Sequence, residues 1–171
     1  MEDIASEAGL SRAALYLQFR NKEDIFRGLA RGLHEEALTQ AEAALGEAQP
    51  LAQRLRAAVE AKTLRMAEIA YASPHGSELM DEKNRLCGDL ATESERLFQE
   101  MLTRVFSAAI EAGEVDLASA GLSAVEAADL FANAVYGLKG PEVTLDAYRK
   151  RLASFVTVFV AGLGPSSEST R

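Results

Sequence analysis

The chain has 171 residues and a mass of 18.4 kDa, enough for one to one and a half ordinary domains, and 48% apolar residues can build a core. Lys and Arg total 18 against 26 Asp and Glu, and the net charge of −8 excludes a globally basic nucleic-acid binder, although not a local basic patch. A single cysteine, Cys87, excludes a disulfide framework and a cysteine-based zinc site. No apolar run reaches the roughly 18 residues of a membrane span, and Met-Glu-Asp does not open a signal peptide. A cytoplasmic protein without membrane contact is expected.

The charge is unevenly placed. Residues 1–32 carry five basic and five acidic groups, so residues 33–171 hold the whole −8, as 21 acids against 13 bases. Within 11–32 the balance is five against two, or +3. A neutral-to-basic N-terminal segment therefore precedes an acidic body, which is compatible with an anionic partner at that end.

The pattern along the chain is helical throughout, with Pro50, Pro74, Pro141 and Pro165 each between helical segments. Residues 2–8 are predicted to form a short helix closed by Gly9, and Ser11 to cap a second one through Phe19. Ile4, Ala5, Leu15 and Phe19 face inward in this reading, and Leu10 plugs the corner. Asn21 caps a third helix to about Ala48, with Glu23 and Asp24 in the first turn and a stripe of Ile25, Phe26, Leu29, Leu33 and Ala37. Leu51 to Ala72 repeats the period, Ser73 to Gly76 reads as a turn, and helices follow over 77–86 and 88–112. Gly113 suits a C-cap. Ser123 and Glu126 are a capping-box pair opening a helix that ends near Gly137 to Gly140.

The last predicted helix spans 144–162. Its Phe155, Val156, Val158, Phe159 and Val160 point nearly all round the axis, so it is expected to be buried on all sides, against its own bundle and a second subunit. A strand reading of this Val/Phe run finds no partner strand. Residues 164–171 read as a disordered tail.

The N-terminal pattern has the physical requirements of a helix-turn-helix: two short helices, a glycine where the turn needs positive φ, and a capped second helix. Ile4-Ala5, Ala8-Gly9-Leu10-Ser11, Leu15-Tyr16, Phe19, Lys22-Glu23 and Ile25-Phe26 resemble the DNA-binding domain of the TetR family of transcriptional regulators. The resemblance implies an all-α TetR-like fold with a helix-turn-helix domain over 1–32 and an effector-binding and dimerisation domain over 33–163. It also implies a ligand-responsive regulator, in this family most often a repressor, that binds a palindromic operator as a homodimer. The dimer would form through the last two helices, about 123–138 and 144–162. Members of the family carry one further helix ahead of the segment that starts here at Met1, and the functional protein is expected to be longer.

On the matching positions, Ser11 opens the recognition helix toward phosphate, and Arg12, Ala13 and Gln18 lie near base edges. Tyr16 and Lys22 match phosphate contacts. For a small apolar effector the candidates are Met66, Ile69, Phe98, Met101, Leu102, Phe131 and Tyr136, joined by Met80, Leu97, Phe106 and Val135. His75, Asn133 and Cys87 are polar candidates. Met and Phe suit an adaptable pocket, and the same stripe at helical spacing also reads as plain core. No acid, base or nucleophile set is visible, and His34-Glu35-Glu36 lacks a zinc helix's second histidine. Neither enzyme activity nor a metal or cofactor is expected. The alternative is a DNA-incompetent TetR-like dimer that sequesters an effector or a partner.

Overall fold

The computed structural model describes residues 1–72, 75–139 and 143–164, with the side chains of 66, 67, 69–72, 77 and 80 outside the description. Among the described residues there are seven helices and no strand: α1 Glu2–Glu7, α2 Arg12–Gln18, α3 Lys22–Gly46, α4 Leu51–Ala72, α5 Gly76–Glu111, α6 Ala124–Gly137 and α7 Leu145–Leu163. The all-α fold expected from the sequence is therefore found.

Caps set most of the boundaries. Ser11 Oγ accepts from the Ala14 N–H at 3.1 Å, and Asn21 Oδ1 accepts from the Asp24 N–H at 2.8 Å. Ser123 and Glu126 form the full capping box. At the end of α1, Gly9 takes φ 65°, which lets the Leu10 N–H reach the Ala5 carbonyl at 2.9 Å and the Gly9 N–H reach Ser6 at 3.1 Å. This paired closure turns the chain sharply into α2. Gly113, at φ 70°, closes α5 in the same manner, with the Glu114 N–H on the Ala109 carbonyl at 2.8 Å.

The third and fourth helices pack as a hairpin through Leu38, Ala41 and Leu45 on α3 and Leu51, Leu55, Ala58 and Val59 on α4. Phe98, Leu102, Phe106 and Ala109 of α5, Phe131 and Val135 of α6, and Tyr148, Leu152 and Val156 of α7 complete one continuous core. Its centre is aromatic. Phe106 meets Phe131 edge-on at 6.1 Å between centroids, and Phe131 meets Phe155 at 5.4 Å and Phe159 at 5.3 Å. The segment between α5 and α6 is anchored by buried Val115 and Leu117 and by the Asp116 N–H, which donates to the Leu163 carbonyl at 3.0 Å.

Three sequence expectations change. The helices expected over 77–86 and 88–112 are one element, α5, broken only by non-helical angles at Cys87 (φ −128°, ψ 20°). No loop separates them; the break is a kink. Leu29, placed on the inward stripe, is 64% exposed, because the body begins only at Ala30 and Ala37. Leu10 is 45% exposed, since the turn, rather than a plug, closes that corner. On α7 only Tyr148, Leu152, Val156 and Leu163 are buried, while Val158 is 72% exposed. This chain alone does not surround that helix. Ser73, Pro74, Pro141 and residues 165–171 lie outside the described residues.

Phe106 is fully buried at the point where α5, α6 and α7 meet. Phe106→Ala is expected to cost about 3–5 kcal/mol. Urea unfolding followed by circular dichroism would read this as a lower midpoint with unchanged slope.

Candidate nucleic-acid interface

The buried side of the N-terminal domain is small. Ala5 and Leu15 are each 3% exposed, and Ile4, Phe19 and Phe26 are half-buried. Gly28 leaves room for the Phe19 ring: a Cβ added there would lie 3.1 Å from Phe19 Cε1. Phe19, which closes α2, thus lies on the first turns of α3.

The opposite side of α2 is open. Ser11, Arg12, Ala13, Tyr16 and Gln18 are exposed, as is Lys22, the first residue of α3. All six expected DNA-facing residues are solvent-accessible. Arg12 stands one turn before Tyr16, with its guanidinium carbon 5.6 Å from the ring centroid. That stacking fixes the direction of an otherwise flexible cation. Sequence reasoning passed over Leu17. It is 88% exposed, one turn after Ala13, and a leucine that the domain's core does not use is the signal that marked it.

Two contacts hold this domain to the body. Arg27 of α3 forks onto Asp89 of α5, with Nη1 to Oδ1 at 2.8 Å and Nη2 to Oδ2 at 2.6 Å. Its Nη1 also donates to the Leu86 carbonyl, directly before the kink. Arg27, helped by the N–H groups of Leu90 and Asp89 itself, holds the Asp89 carboxyl down at about 2. Nearby, Arg85 donates to Glu23 at 2.9 Å and to Glu82 at 2.6 Å. Cys87, at the kink, is fully buried, and desolvation pushes its thiol up.

The effector candidates are distributed differently from the expectation. Phe98, Leu102, Phe106, Phe131 and Val135 are buried in the core, and Leu97 and Met101 are packed partly against it. Tyr136 is 71% exposed and Asn133 is also exposed in the single chain. The side chains of Met66, Ile69 and Met80 lie outside the described residues. An open groove of about 450 Å³ is lined by Arg96, Gln99, Glu100, Thr103, Arg104 and Val125, none of them an expected effector residue. His75 is exposed beside Glu78, with Nδ1 3.4 Å from Oε2. Glu93 and Glu100 pair with Arg96 on a solvated face. Among the described residues no group of His, Cys, Asp and Glu could hold a metal ion, and no helix is long and apolar enough to cross a membrane.

His34, weighed in the sequence only as half of a zinc pair, sits on α3 with its Nε2 buried and without a hydrogen-bond partner. Burial, then Lys62 and Lys83, push it down to about 4.

Residues 1–29 match the sequence model of the family described as bacterial regulatory proteins, tetR family. No curated protein matches the chain. The match covers α1, α2 and the start of α3, and supports a regulator of the TetR family.

The unfolded chain takes up a proton on His34 near pH 6.5, whereas the folded chain takes it up only near 4. Between these values the unfolded state binds more protons, so this group destabilises the fold progressively as pH falls through the window and has no effect above it. Thermal melting from pH 7 to pH 4 should fall less steeply for His34→Gln than for the parent chain. Parallel curves would contradict the assignment.

Proposed function

We propose that the chain is a ligand-responsive repressor that binds a palindromic operator as a homodimer in the cytoplasm. The observation that carries this reading is the open, capped face of α2 held against α3. Ser11 leaves the first N–H groups of α2 turned outward, where a phosphate fits. Arg12 reads a guanine edge, Gln18 a neighbouring base, and Ala13 with Leu17 takes up apolar contact such as a thymine methyl. Tyr16 and Lys22 grip phosphates and set the register.

Dimerisation runs through α6 and α7. Support comes from Val125, Leu130 and Tyr136 on α6 and Val158 on α7, all large and exposed in the single chain. Two-fold symmetry then requires half-sites about one helical turn, roughly 34–36 Å, apart. An effector acts through α3, which carries Lys22 at one end and the body's buried Leu38, Ala41 and Leu45 toward the other. It releases DNA only if it binds the low-affinity arrangement more tightly than the DNA-bound one.

The test begins with sites enriched from random duplex DNA. Arg12→Ala should cost about 1–3 kcal/mol and relax preference at one base pair per half-site. Lys22→Ala should weaken binding to every sequence and reduce the slope of log affinity against log salt by about 1 per subunit. Two variants indistinguishable from the parent would overturn the interface. Failure to retain DNA even at low salt would favour the alternative, a TetR-like dimer that acts by sequestration.

A further inference from the structure

Arginines of the body spend their donors on carboxylates: Arg54 on Glu114, Arg85 on Glu82 and Arg96 on Glu93. Arg12 does not. Among the described residues it makes no hydrogen bond or ion pair, and its guanidinium carbon lies over the Tyr16 ring, 5.6 Å from the centroid. Local chemistry sets that geometry. Ser11 Oγ accepts from the Ala14 N–H at 3.1 Å and closes the first turn of α2, so Arg12 is held in the helix. Leu15, 3% exposed, fixes the rotation of α2 about its axis. Residues 12 and 16 are then one turn apart on one face. A helical side chain leans back toward the N-terminus, which carries the Tyr16 ring toward Arg12. The ring stays 46% exposed, and among the described residues the Tyr16 hydroxyl has no hydrogen-bond partner.

A cation held over a ring keeps its N–H groups unspent. An ion pair would consume them, and an unrestrained arginine would surrender its rotamer freedom on meeting a base. The ring thus restrains Arg12 and leaves its planar fork available, which is what a bidentate contact to guanine O6 and N7 requires. The hydroxyl at the far end of the same ring stays free for a phosphate. We propose that Tyr16 is a positioning residue for base recognition: its ring aims Arg12 at a guanine edge, a role separate from any phosphate contact of its hydroxyl. The inference rests on the DNA-reading role of α2 and assigns part of the sequence preference to a side chain that need touch no base itself.

The experiment separates ring from hydroxyl with Tyr16→Phe and Tyr16→Leu in the full chain. Two readouts are needed. In the free protein, nuclear magnetic resonance should find the Arg12 Cδ protons shielded by the ring in the parent and in Tyr16→Phe, and unshielded in Tyr16→Leu. No shielding in the parent would overturn the placement whatever the DNA result. On DNA, Arg12→Ala first maps the base pair that Arg12 reads, and the affinity ratio between the enriched duplex and one changed at that pair is then measured at fixed salt. Tyr16→Phe should keep the parent's ratio while weakening both duplexes alike. Tyr16→Leu should lower the ratio about two- to fivefold per half-site and add nothing to the loss in Arg12→Ala. Leucine is a strong helix former, so this variant should melt with the parent, which separates lost aim from lost fold. An unchanged ratio in Tyr16→Leu, an equal fall in both variants, or a loss of preference at every base pair alike would each overturn the positioning role while leaving Arg12 as a reader. A parent and an Arg12→Ala variant with the same preference at every base pair would remove the guanine reading itself, and this proposal with it.

Discussion

Two helices of six and seven residues cannot hold themselves in water, because helix nucleation costs more than so few hydrogen bonds return. The N-terminal pair holds because Ala5 and Leu15 are buried and Phe19 lies on α3 at Gly28. That helix is 25 residues and roughly 37 Å long, and it belongs to two cores. Its first turns receive α2, and its later turns, through Leu38, Ala41 and Leu45, lock into the body. The direction in which Arg12 and Tyr16 point is therefore set by how α3 sits on α4 and α5. Arg27 fixes that seat. Its planar fork meets both oxygens of Asp89 and the Leu86 carbonyl, a geometry that constrains orientation as well as distance.

The kink at Cys87 gives this contact its significance. Breaking the helix there places the Leu86 carbonyl and the Asp89 carboxylate side by side, where one guanidinium reaches both. The first half of α5 also carries Arg85, which holds Glu23 at the start of α3.

Much of this was legible in the sequence because caps and glycines are local chemistry. Ser11, Asn21 and Ser123 announce helix starts by side-chain oxygens that can reach the first free N–H groups, and each does so. Gly9 and Gly113 mark positive φ. The division between residues 86 and 88 was placed from the sequence, but its form is a kink inside one helix, where Arg27 of α3 reaches the Leu86 carbonyl from far along the chain. Leu29 fits the helical period yet faces solvent, because periodicity reports a face and not what covers it.

The account's central claim is that two copies of the open α2 face read one symmetric DNA site. Hydroxyl-radical footprinting of the full chain on its best enriched duplex tests this most directly. Two protected patches on one face of the duplex, related by two-fold symmetry and about 10 base pairs between centres, are the result predicted. Protection of one asymmetric half-site, or none at low salt, would contradict it.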